Sequence, residues 1–197
     1  MAKRFWPRFV AVFFWIFGPL HSVAFAAEAT EEGFQDLIEV CSGCHGETGL
    51  PEEAATPIIW GQEFYYLYVQ LKDYKAGRRA NDIMQNIVAD LDSEKLKALA
   101  QHFSEKSWPV TGYRTPEEVK PAAQSALVAG QCVQCHLGGY EGNSRIPRLA
   151  KQQSEYLERT MLEFKNKVRL NSAAKGSLLQ AYEDSDISAM ADYLAGL

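Results

Sequence analysis

All four cysteines of this 197-residue chain fall into two short clusters, CSGCHG with Cys41, Cys44 and His45, and CVQCHL with Cys132, Cys135 and His136. Three kinds of chemistry use such residues. A structural zinc ion takes four ligands, and each cluster offers two thiols and one imidazole with no second ligand pair nearby. A disulfide closes a tight Cys-x-x-Cys loop and leaves the following histidine without a reason. The third use accounts for every residue. On one helical turn the two thiols reach the two vinyl groups of a haem and form thioethers, and the next residue points its imidazole at the iron. Two copies that consume every cysteine predict two covalently bound haem c groups. Cys41, Cys44, Cys132 and Cys135 are then the attachment points, and His45 and His136 the iron ligands.

The segments around the clusters repeat as well. The second cluster follows the first by 91 residues, which suggests a duplication. A short amphipathic helix is predicted ahead of each, in EGFQDLIEV and PAAQSALVAG. A glycine-containing loop with a proline follows, Pro57 in one half and Pro147 in the other. Then come helices with one beat of aromatic and apolar residues, YLYVQLKDYKAGRRAN and YLERTMLEFKNKVRLN, and closing helices DSEKLKALAQHF and EDSDISAMADYL. The fold class is therefore all-α, with SEKSWPVTGYRTPEEVKP as the connector between halves. Units of roughly 80 residues have little core of their own, and a buried haem supplies the missing apolar centre.

The chain opens with Lys3, Arg4 and Arg8, an apolar run from Phe9 to Leu20, and Ala24 and Ala26 spaced as a small-residue cleavage site. This is the layout of an export signal cleaved after Ala26. A retained membrane anchor is the rival reading, but Gly18-Pro19 interrupts the run, which is shorter than the ~20 residues of a spanning helix. No later stretch is apolar enough to span, so no transmembrane segment is expected after processing, with peripheral membrane association left open. Cleavage removes three positive charges from a formal net charge of −5 and leaves −8. Such an acidic chain is a poor partner for nucleic acid and a fair one for a protein with a basic docking patch.

With both clusters, the Pro57 and Pro147 loops, the GQ…YL…L…G-R pattern and the closing helices in view, the mature chain resembles the di-haem cytochromes c of the cytochrome c4 type. The resemblance implies tandem class I cytochrome c domains, each wrapped around one covalent haem. The boundaries would be a signal peptide at 1–26, a first domain at 27–108, a linker at 109–120 and a second domain at 121–197. It implies a periplasmic electron shuttle whose redox partners are of the kind of a quinol-oxidising complex and a terminal oxidase. It also implies that the carbonyls of Pro57 and Pro147 accept hydrogen bonds from the motif histidines. A plain loop proline is the alternative at both positions.

In that family a methionine completes each iron's coordination. Met84, in the polar stretch RRANDIMQNIVADL, stands where the first is expected, and core filler is the other use of such a residue. The second half departs from the pattern. Met161 answers Leu71 and Met190 answers Leu99, both apolar helix positions, so both read as core. The position answering Met84 holds Ala174 or Lys175. The halves are 90 residues apart at Asn81 and Asn171 and 91 apart at Ala100 and Ala191, so one residue enters between them. Met84 and Lys175 each lie 39 residues after their motif histidine, which makes Lys175 the expected sixth ligand of the second haem. A surface Lys175 beside an open iron, or a ligating Met161, stands against it. His21 falls in the signal and His102 reads as a surface or haem-edge residue. Arg78, Arg79 and Arg169 precede the ligand loops, placed to meet haem propionates, with at least one of Arg78 and Arg79 a solvated surface residue.

Filled axial positions with no place for substrate suit one-electron transfer and not catalysis. Two other functions stay open on the sequence: a second haem that binds a small ligand or acts as a peroxidase, and a dedicated relay subunit of a periplasmic oxidoreductase.

Overall fold

The computed structural model describes residues 22–197, with side chains from Gly33 onward. The charged start of the chain, its apolar run and His21 lie outside the described residues. The chain divides into two compact units, residues 1–35 and 36–197. Of the first, only the opening turns of helix α1 (Ser22–His45) are described. The second holds everything that follows. Among the described residues no helix is long and apolar enough to cross a membrane.

After α1 come α2 (Phe64–Lys75), α3 (Asp82–Val88), α4 (Ser93–Ser104), a single 3-10 turn at Glu117–Val119, α5 (Lys120–Ala129), α6 (Val133–His136), α7 (Ser154–Lys165), α8 (Ala173–Leu179) and α9 (Asp184–Ala195). The only strand-like pairing among the described residues is an isolated bridge between Asn143 and Ile146. Helix is dictated locally. In α4 the apolar residues Leu96, Leu99, Ala100 and Phe103 recur at three- and four-residue spacing and are all buried. Asp92 caps its start by accepting from the Lys95 N–H at 2.8 Å. In α9 the matching residues Ile187, Met190, Ala191 and Leu194 are buried, behind a reciprocal cap between Glu183 and Asp186.

Packing follows the repeat. α2 lies against α3 and α4, and α7 lies against α8 and α9, while α5 packs on α9. Leu127, Leu157, Phe164, Leu179, Ile187, Met190 and Leu194 form one continuous core in the second half. Burying each such side chain stabilises the fold by about 1.5–3 kcal/mol. The connector is tied down on α9: Tyr113 donates its hydroxyl to Asp192 Oδ1 at 2.6 Å, and Thr115 Oγ1 donates to the Asp192 carbonyl at 3.1 Å.

Two details differ from the sequence expectation. Met84 lies within helix α3 and not in a loop, because Asn81 Oδ1 accepts from the Met84 N–H at 2.9 Å and starts a helical turn there. The residue gained by the second half also enters earlier than the Asn81/Asn171 pairing implies. α7 follows α2 by 90 residues, while α8 follows α3 and α9 follows α4 by 91. Arg79 and Arg169 take equivalent positions, each N–H bonded to the carbonyl of Asp73 or Glu163. The helix caps that follow are Asn81 and Ser172. The extra residue therefore sits between Arg169 and Ser172, which releases Asn171 for other contacts.

Candidate haem-binding sites

Each cluster occupies the end of a helix. Cys41, Cys44 and His45 ride on the last turns of α1. In the second half the helix breaks after Ala129: Gln131 adopts a left-handed φ of 51°, and Cys135 and His136 lie on the separate short α6. Cys41 and Cys132 are half-buried, and Cys44 and Cys135 are exposed. Burial pushes the Cys41 thiol up to about 11, with Cys44 adding to the effect. Among the described residues no three His, Cys, Asp or Glu side chains converge on a point where they could hold a metal ion by themselves. The thiols and the imidazole of a cluster thus do not form a zinc cage, whereas haem attachment asks them to reach different parts of one flat group.

The histidines carry the clearest geometry. His45 Nδ1 lies 2.8 Å from the carbonyl oxygen of Pro57, and His136 Nδ1 lies 2.9 Å from that of Pro147. A carbonyl only accepts, so each Nδ1 carries the proton and each Nε2 keeps its lone pair. Burial lowers the pKa of both rings, against the opposing pull of the proline carbonyls. Arg79 lowers His45 further, and Lys175 lowers His136. Both imidazoles are thereby held neutral and oriented, as an iron ligand must be.

Between the two sites lies a buried polar network that runs across the repeat. Arg79 and Arg169 are 7% and 4% exposed. Arg79 donates to Gln70 Oε1 at 3.1 Å and to the Tyr156 hydroxyl at 3.0 Å. Arg169 donates to Gln70 Oε1 at 2.6 Å and to Asn171 Oδ1 at 3.0 Å, and is hydrogen-bonded to Tyr66. Asn171, freed from capping, donates on to Asp73 Oδ2 at 2.8 Å. Burial raises the Tyr156 phenol, but the guanidiniums of Arg79 and Arg169 outweigh it and bring the group down to about 7. Gln70, Tyr156, Asn171 and Tyr66 bring no carboxylate to the two arginines, and Arg169 Nη1 and Trp60 Nε1 are buried with no hydrogen-bond partner. Two buried cations and the orphaned Arg169 Nη1 ask for an anion. The propionate groups that every haem c carries have that chemistry, so the residues present fit the group. Arg78 differs from its neighbour: it is largely exposed and pairs with Asp73 at 2.8 Å.

Met84 and Lys175 are each the third residue of a seven-residue helix, α3 and α8. This register selects Lys175 over Ala174 as the counterpart of Met84. Lys175 is half-buried, its Nζ 5.3 Å from the centre of the Phe164 ring, and close enough to Cys135 and His136 to interact electrostatically with both. Burial lowers its pKa to about 8, with Arg169 and Arg79 adding to the shift and Tyr156 and Cys135 opposing it. Met190 is 1% exposed inside the core of the second half, and Met161 packs against that core from its edge. His102 stands edge-on to Phe103, half-buried on α4. The sequence left Gln62, Gln152, Tyr66 and Tyr156 unassigned as anything but marks of the repeat, although their recurrence 90 residues apart was a signal.

No family model matches the chain. It is 27% identical over 184 residues to cytochrome c4 of Azotobacter vinelandii, which covers 83% of this chain and 87% of that one. It is 28% identical over 182 residues to a thiosulfate dehydrogenase electron acceptor of Stutzerimonas stutzeri (strain A1501), covering 85% and 83%. The solved structure of Acidithiobacillus ferrooxidans cytochrome c4 superposes with a TM-score of 0.72 at 28% identity, over 80% of this chain and 98% of that one. Two oriented neutral histidines, two thiol pairs and a helical repeat that superposes on such a structure lead to one conclusion: the chain is a di-haem protein similar to cytochrome c4, an electron carrier.

Proposed function

We propose that the chain carries single electrons in the periplasm through two non-equivalent sites. Cys41 and Cys44 hold one haem and Cys132 and Cys135 the other, with His45 and His136 as their axial histidines and the Pro57 and Pro147 carbonyls orienting the rings. Met84 completes the first site and Lys175 the second. The domains run over 27–108 and 121–197, joined by 109–120, and the first 26 residues serve as the export signal. The observation that carries this reading is the pair of histidine–proline hydrogen bonds, 2.8 and 2.9 Å, which leaves an available Nε2 at each site.

A haem c at each site supplies one-electron exchange at its iron. The chain's residues bind and orient that group, withdraw it from water and offset the charge of its propionates through Arg79 and Arg169. The partners are redox proteins, of the kind of a quinol-oxidising complex on one side and a terminal oxidase on the other. The relative named as an electron acceptor of thiosulfate dehydrogenase supports a place as the relay of a periplasmic oxidoreductase as well.

Denaturing mass spectrometry of protein matured in a host that assembles c-type cytochromes tests the reading. The expected mass is the chain from Ala27 onward plus two haems, and a mass with one haem or none overturns it. At the first site, Met84→Ala is expected to abolish the weak sulfur-to-iron band at the red end of the oxidised spectrum. A band that persists unchanged shows that another residue is the ligand.

A further inference from the structure

The peptide group between Pro57 and Ile58 is engaged on both sides. Its oxygen accepts from His45 Nδ1 at 2.8 Å, and its N–H donates to Gln152 Oε1, also at 2.8 Å. Gln152 Nε2 then donates to the Ile58 carbonyl at 2.9 Å, so the side-chain amide is clamped on one residue's backbone. The second site repeats the arrangement in reverse. The peptide between Pro147 and Arg148 accepts from His136 Nδ1 at 2.9 Å and donates to Gln62 Oε1 at 2.8 Å, and Gln62 Nε2 returns to the Arg148 carbonyl at 3.0 Å. Each glutamine belongs to the other half of the chain. Both are 3% exposed, so water does not compete for these bonds.

We propose that Gln152 and Gln62 are positioning residues through which each half of the protein sets the basicity of the other half's axial histidine, and with it the potential of the other half's haem. The inference rests on the assignment of one haem to each site. Its physical basis is hydrogen-bond cooperativity through a peptide group. An N–H that donates to Oε1 leaves more negative charge on the oxygen of the same peptide. That oxygen draws harder on the Nδ1 proton, and the imidazole gains electron density at Nε2. A more electron-rich ligand favours the oxidised iron. A clamp used only to join the halves has no need to fall on the peptide that serves the histidine, yet both glutamines do so. Their Oε1 atoms also accept from Glu63 N and Gln153 N at 2.9 Å, at the entrances of α2 and α7, which fixes the side chains in place.

The test uses the intact protein carrying both haems, with Gln152→Leu, Gln62→Leu and Gln152→Glu. The readouts are the proton shift of each histidine Nδ1–H in the reduced, diamagnetic state and the two midpoint potentials. Gln152→Leu is expected to move the His45 signal upfield and raise the first potential while His136 stays in place. Gln62→Leu is expected to give the mirror result. Gln152→Glu keeps an oxygen for the Ile58 N–H but loses the amide that donates to the Ile58 carbonyl, so it is expected to move the His45 signal while His136 stays in place, and it serves as the test should the leucine variant not accumulate. A His45 signal that does not move in a Gln152 variant, or that moves together with His136, makes the glutamine an interface clamp only and overturns the proposal. Failure to hold two haems would count against the haem assignment, which mass spectrometry of the same sample reads separately.

Discussion

Lys175→Met is expected to raise the midpoint potential of the second haem by a sizeable share of the ~0.8 V range that axial ligands span. It should also bring a second sulfur-to-iron band into the oxidised spectrum. The helix register is the first reason: Lys175 occupies in α8 the place that Met84 occupies in α3. An amine binds iron only after losing its proton. For a free lysine of pKa about 10.4 that costs ~5 kcal/mol at pH 7, whereas a group already lowered to about 8 gives up its proton for ~1.4 kcal/mol. Burial does most of this, and Arg169 and Arg79 add to it. The nitrogen donor stabilises the oxidised iron and the thioether the reduced one, so the exchange must raise the potential. Lys175→Ala is the companion variant: it opens the sixth position and should allow carbon monoxide or cyanide to bind at one haem of two. If neither variant changes the spectrum or potential of the second haem, Lys175 is a surface charge and the second iron is ligated otherwise.

Met190→Ala should cost about 2–5 kcal/mol of stability and leave both haem spectra as they are. Met190 is 1% exposed, surrounded in the second half's core by residues that include Ile187 and Leu194, and its truncation leaves a cavity that these neighbours only partly fill. Against a total stability of about 5–15 kcal/mol for a domain, the loss is large, and a thermal melt of the second half should show it plainly. The spectrum separates the two uses of a methionine. A core residue changes the melt and not the iron, while a ligand changes the iron's spin state or potential. A second-haem spectrum that shifts in Met190→Ala would transfer the sixth-ligand assignment from Lys175 to Met190.

The all-α class and the duplication were legible in the sequence because each rests on local chemistry, as does the proposal of Cys41, Cys44, Cys132 and Cys135 as attachment sites. A C-x-x-C-H cluster needs only one helical turn to present two thiols and an imidazole, and helical periodicity is written within a dozen residues. The correspondence of Lys175 to Met84 was legible as well, since Lys175 lies 39 residues after His136 and Met84 lies 39 after His45. The tertiary structure alone decided the rest. It placed the extra residue before Ser172, which turned Met84 and Lys175 into matching third residues of matching helices. It buried Arg79 and Arg169 together, where the sequence could not tell which of three arginines would leave the surface. It also set Gln152 on the Pro57–Ile58 peptide and Gln62 on the Pro147–Arg148 peptide. These contacts join residues 86 to 94 positions apart. Their partners are backbone groups that every residue but proline carries, so no side-chain pattern marks them in advance. Only the packing of one half against the other selects which peptide each glutamine meets.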